Sequence, residues 1–88
     1  MRFCITIRGK VQGVFFRKFT QQKANELGIH GYVQNMPDGS VYCEAEGPEH
    51  ALEAFTDWCA EGSPASRVQS VDVQTSALSG HHGFEIRP

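Results

Sequence analysis

A chain of 88 residues has room for one small domain, spanning residues 1–88, and none for a second. Its 40% hydrophobic and 20% charged residues are those of an ordinary globule, and its formal net charge of −2 argues against a general nucleic-acid binder, which carries a basic face. No apolar run approaches the ~18 residues of a membrane span. Met1–Ile5 alternates like a strand rather than a signal peptide. Three cysteines without paired spacing describe no disulfide framework, so a reduced, cytoplasmic protein is expected.

Phe3, Ile5 and Ile7 alternate with Cys4, Thr6 and Arg8, the pattern of a half-buried first strand. A turn bracketed by Gly9 and Gly13 follows. Phe16, Phe19, Ala24 and Leu27 then recur near helical spacing, with Lys18, Gln21, Gln22 and Lys23 on the other face. Gly28 is expected to stop this helix, because glycine accepts the left-handed conformation at its end. Ile29 to Asn35 reads as a second strand, and Met36-Pro37-Asp38-Gly39 as a tight turn. Val41, Cys43 and Ala45, alternating with Tyr42, Glu44 and Glu46, form a third strand hairpinned to the second. Pro48 suits the first helical position and Glu49 suits the dipole. Ala51, Leu52, Phe55, Trp58 and Cys59 give that helix one apolar stripe, which Gly62-Ser63-Pro64 ends. Val71 and Val73 mark a fourth strand, with Val68 out of phase, so a bulge and a late strand start both stay open. Ala77 to Gly83 is a loop, and Phe84 and Ile86 mark a short closing strand. Strand, helix, strand, strand, helix, strand is the split βαβ order of an α+β domain, with both helices on one face of an antiparallel sheet.

The chemistry concentrates at the first turn. A glycine turn at a helix N-terminus leaves backbone N–H groups without partners, and with the helix dipole these suit a tetrahedral anion. Arg17 falls in the first helical turn, where a cation opposes the dipole. A bound anion gripped by its guanidinium would relieve that conflict, and a surface ion pair is the plain alternative. Asn35 closes the second strand, where asparagine is a common turn residue; a functional role needs the first loop as its neighbour. His30, His50, His81 and His82 have poor metal-ligand spacing, and no metal or other cofactor is expected. No serine or cysteine has a base beside it, so no covalent mechanism is indicated. Cys43 and Cys59 lie on buried phases and Cys4 on a more exposed one. Tyr42 is a single aromatic on the outer sheet face, whereas RNA-binding sheets present two or three.

Gly9-Lys10-Val11-Gln12-Gly13-Val14-Phe15-Phe16-Arg17 resembles the acylphosphatase signature G-x-V-Q-G-V-x-F-R at every fixed position. Gly31-Tyr32-Val33-Gln34-Asn35-Met36-Pro37-Asp38-Gly39-Ser40-Val41, closing at Gly47, resembles the family's second signature. The element order and the ending Phe84-Glu85-Ile86-Arg87 extend the resemblance over the whole chain. It implies a ferredoxin-like α/β sandwich and a metal-independent hydrolase of acyl phosphates. Arg17 and the loop N–H groups of Val11, Gln12, Gly13, Val14, Phe15 and Phe16 would hold the phosphoryl group, and Asn35 the attacking water. The partner would be a small-molecule acyl phosphate, with no nucleic acid and no membrane, and the protein a monomer. Similar domains also occur within large carbamoyl-transferring maturation enzymes. A non-catalytic anion-binding module on the same fold is the alternative reading.

Overall fold

The computed structural model describes all 88 residues. The elements run β1 (Arg2–Lys10), α1 (Phe16–Leu27), β2 (His30–Asn35), β3 (Val41–Glu46), α2 (Glu49–Glu61), β4 (Arg67–Ser76) and β5 (Phe84–Arg87). They form one five-stranded sheet in the order β4-β1-β3-β2-β5. The apolar phases align across it. Ile5 and Val33 both pair with Cys43, and Ile7 pairs with Val41, so these side chains project from one face. Both helices cover that face, α1 over β2 and β5, and α2 over β4 and β1. Phe16, Ala24, Leu52, Phe55 and Cys59 complete the core. Each large apolar side chain there contributes roughly 1.5–3 kcal/mol by leaving water. The Phe16 and Trp58 rings lie 5.5 Å apart and tie the two helices together.

The structure departs from the sequence pattern at four points. The sheet is mixed, because β5 runs parallel to β2. The cause is where the chain leaves β4: Ser76 pairs with Arg2, Arg2 with Glu46, and Glu46 with His30. The loop 77–83 therefore crosses the end of the sheet at which β2 begins, and β5 starts from that same end. Gly9 belongs to β1 rather than to the turn. It sits at a bulge against β4, where the register skips Gln69 between Ser70 and Val68, which explains the phase of Val68. A Cβ at Gly9 would stand 2.1 Å from the Arg67 carbonyl oxygen, so only glycine lets the strands close. On α1, Phe19 is exposed and Thr20 is buried in its place, its hydroxyl donating to the Phe16 carbonyl at 2.8 Å. Pro48 caps α2 from just outside, with extended backbone, and Glu49 opens the helix.

Candidate active site

The loop between β1 and α1 is pinned at two points and open between them. Val11 and Val14 are buried in the core, while Gly13 stands exposed in the left-handed region at φ 74°. Ser63 Oγ donates to the Val14 carbonyl at 3.1 Å and fixes the loop to the end of α2. Phe15 follows at φ 58°, left-handed backbone that costs a non-glycine residue on the order of 1–3 kcal/mol. It caps α1 without a side-chain oxygen, and the first turn holds no acidic residue. The first hydrogen bond of α1 runs from the Phe19 N–H to the Phe15 carbonyl, so the N–H groups from Gln12 to Lys18 have no backbone acceptor. A helix start in this state is positively polarised and uncompensated.

Arg17 adds a full charge. Its guanidinium donates to the backbone carbonyl of Arg87 in β5 at 2.7 Å, and no carboxylate pairs with it. The surface ion pair left open by the sequence is therefore absent. The carbonyl contact fixes the fork while leaving its other donors free. Lys18 lies beside it and likewise has no acidic partner.

Asn35 comes from β2, which β3 separates from β1 in the sheet. It shares the inward phase of Val33 and is the last residue of β2. Its Oδ1 is buried and has no hydrogen-bond partner. The following turn is rigid: Asp38 Oδ1 accepts from the Ser40 hydroxyl at 2.6 Å and from its N–H at 2.9 Å, and the Met36 N–H donates to the Ser40 carbonyl at 2.8 Å. The Ser40 hydroxyl, then its N–H, hold the Asp38 carboxyl below its usual range. Gln12 ties this turn to the loop. Its amide donates to the carbonyls of Met36 at 2.8 Å and Ser40 at 2.9 Å.

A cavity of about 300 Å³ lies where these parts meet, lined by Val11, Gly13, Phe15, Phe16, Arg17, Lys18, Asn35 and Ile86. Six residues singled out from the sequence thus come together. Gln12 and Val14 do not line the cavity: one side chain is turned to the hairpin and the other to the core. Lys18 and Ile86 were not singled out. Lys18 had a signal in its position next to Arg17, but Ile86 had none, since β5 reaches the cavity only through its parallel pairing. The lining holds two cations and no carboxylate, histidine or cysteine, and nowhere do three such metal-ligating side chains gather.

A second polar cluster occupies the open face of the sheet. The Tyr32 and Tyr42 hydroxyls both donate to Glu44, which also meets Arg2 at 3.0 Å and His81 at 3.1 Å. Tyr42 therefore has an aromatic neighbour, with ring centroids 6.1 Å apart, and the Arg87 guanidinium stacks 3.7 Å over Tyr32. Burial works to raise the Glu44 carboxyl, but the bonds from His81, Tyr42 and Tyr32 and the charge of Arg2 bring it below its usual range. Glu46 is buried by the loop 77–83 and accepts the N–H groups of Ser79, Gly80 and His81. Burial again pushes its carboxyl up, and those N–H groups outweigh it and hold it low.

The architecture is the ferredoxin-like α+β sandwich, with its cavity between the first loop and the first hairpin. The acylphosphatase family model matches residues 3–86. An acylphosphatase of Thermus thermophilus is 45% identical over 85 residues, 97% of this chain and 97% of its own length. The crystal structure of acylphosphatase from Bacillus subtilis, 42% identical, superposes with a TM-score of 0.96 over 99% of this chain and 98% of that one. HypF of T. kodakarensis, 28% identical, superposes with a TM-score of 0.87 over 100% of this chain but only 12% of its own. The chain belongs to the acylphosphatase family. It is an enzyme of that family, and its general reaction is the hydrolysis of acyl phosphates. No helix is long and apolar enough to cross a membrane.

Proposed function

We propose that the phosphoryl group of a small acyl phosphate binds against Arg17 and the N–H groups of the loop from Val11 to Phe16, and that Asn35 holds the water that attacks phosphorus. The observation that carries this is the buried Asn35 Oδ1, an acceptor without a donor on the wall of a cation-lined cavity. Such an atom costs about 1–3 kcal/mol unless something donates to it. A water molecule donates to Oδ1, accepts from Nδ2 and still offers a lone pair to phosphorus.

An acyl phosphate is a mixed carboxylic–phosphoric anhydride. Water oxygen bonds to phosphorus, the bond from phosphorus to the acyl oxygen breaks, and the pair stays with a carboxylate. That leaving group is already stable as an anion, so departure needs no strong acid. The transition state is loose, and its charge sits on the phosphoryl oxygens. Preorganised N–H donors and a guanidinium stabilise that charge directly, without a metal. Asn35 is a poor base, so the water's proton passes to a phosphate oxygen. The three free thiols fit a reducing compartment such as the cytoplasm, and the proposed enzyme acts as a monomer on small molecules.

Phosphate release from benzoyl phosphate tests the scheme. Asn35→Ala is expected to lower kcat roughly a hundredfold while inorganic phosphate still competes with near-normal affinity. Equal losses in both would make Asn35 a loop-shaping residue instead. Phosphate binding without turnover in the unsubstituted protein would favour the non-catalytic module. Exhaustive chelation is expected to leave the rate unchanged, and loss of activity would defeat the metal-free route.

A further inference from the structure

The proposed cradle answers only part of its ligand's charge. At neutral pH the phosphoryl group of an acyl phosphate carries about two negative charges. Arg17 supplies a single positive charge and the start of α1 roughly half of another. Lys18 lines the same cavity and has no part in that scheme. It is exposed, and no carboxylate lies within ion-pair reach of its ammonium. Its neighbours one helical turn away are Phe15, Gln21 and Gln22, so no charge on its own helix compensates it. On β5, Glu85 is taken by Arg87 at 3.4 Å, and Glu61 of α2 opens onto a different cavity beside Phe19 and Trp58. A cation in the first helical turn opposes the dipole, and here two follow each other with no acidic residue among them. The whole chain has a formal net charge of −2, so this positive pair is a local feature.

We infer that Lys18 is a second phosphoryl-binding cation, and that it selects doubly charged tetrahedral anions over singly charged ones. This rests on the phosphoryl-binding role proposed for Arg17 and the loop. The two cations divide the work by their chemistry. The Arg17 guanidinium is held by the Arg87 carbonyl at 2.7 Å, and its planar fork fixes direction. The Lys18 ammonium is a compact charge on a flexible stem, with three donors that turn to whichever oxygen is free. It needs no fixed geometry, only the charge that Arg17 leaves over. A cation so placed also speeds encounter with a dianionic substrate, an effect that salt screens.

The test uses sulfate, a doubly charged tetrahedral anion, and methanesulfonate, a singly charged one, as competitive inhibitors of benzoyl phosphate hydrolysis. The unsubstituted protein is compared with Lys18→Gln and Lys18→Arg. The preference for sulfate, read as the ratio of the two inhibition constants, is expected to fall about fivefold in Lys18→Gln and to be kept in Lys18→Arg. Added salt should weaken sulfate binding less steeply in Lys18→Gln. Benzoyl and acetyl phosphate carry the same phosphoryl charge, so Lys18→Gln should lower kcat/KM for both by a similar factor. An unchanged preference in Lys18→Gln, or an equal weakening of both anions, overturns the role of Lys18. So does a preference lost equally in Lys18→Arg, or a loss of kcat/KM confined to one substrate, which would set Lys18 against the acyl group. Inhibition by neither anion in the unsubstituted protein would overturn the cradle itself, and the role of Lys18 with it.

Discussion

Two loops of this protein hold out consecutive backbone N–H groups, and they resolve that polarity in opposite ways. In the loop 77–83, the N–H groups of Ser79, Gly80 and His81 converge on the buried carboxylate of Glu46. The chain supplies its own anion, and the loop becomes a strap closing the end of the sheet. Between β1 and α1, the N–H groups from Gln12 to Lys18 find no backbone acceptor, and no carboxylate approaches. The arginines repeat the contrast: Arg2 is paired with Glu44 at 3.0 Å, whereas Arg17 is held only by a carbonyl. The same donor chemistry thus makes structure where the anion is internal and, in the function proposed above, a binding site where the anion arrives from outside.

The largest effect that sharpens this contrast is at Arg17. Arg17→Lys keeps the charge but loses the planar fork, and kcat/KM on benzoyl phosphate is expected to fall by roughly a thousandfold. A loss below about threefold would mean that charge alone suffices. Glu46→Gln acts on the other loop. It removes the internal anion and is expected to destabilise the fold by about 2 kcal/mol, near a 10 °C drop in Tm, with phosphate affinity unaltered. Thermal unfolding together with phosphate competition would separate the two loops. Gln12→Ala severs the tie between the first loop and the hairpin that carries Asn35. It is expected to lower kcat about tenfold with little change in KM, because positioning rather than binding is lost. A rise in KM with kcat unchanged would assign Gln12 to binding.

The smallest effect is in acid. The folded-state carboxyls of Glu44 and Glu46 both lie below their ordinary range. Their contribution to stability is present above the unfolded carboxylate value of ~4.3 and is lost as the pH falls through the lower folded values. Stability measured by urea unfolding should therefore decline below about pH 4.5. In Glu46→Gln that decline should be shallower, and an identical slope would mean that the strap carries no acid sensitivity.

Much of this was legible in the residue pattern. The alternation in β1 and β3 and the stripe of α2 define the core, and the Gly13 turn with Arg17 marks the end of the sheet where the cavity lies. What stayed hidden depends on where the chain travels between elements. The direction of β5 follows from the path of the loop 77–83 across the sheet, which no local pattern encodes. Glu46 sits on the open-face phase that its strand predicts, yet it is buried, because the same loop folds over it. Gln12 looks like one more loop residue until the turn from Met36 to Ser40 is placed beside it. Phe19 shows the opposite failure. It has helical spacing, but α1 leaves it exposed and buries Thr20 in its place.

The central claim is that the open N–H groups of the first loop await a tetrahedral anion. Titration of ¹⁵N-labelled protein with inorganic phosphate, followed by amide chemical shifts, tests it most directly. The account predicts saturable shifts at the amides from Gln12 to Arg17 and at the Asn35 side chain, with Ser79, Gly80 and His81 unmoved. Weak, non-saturating shifts spread over the surface, or saturation at the strap loop instead, would contradict it.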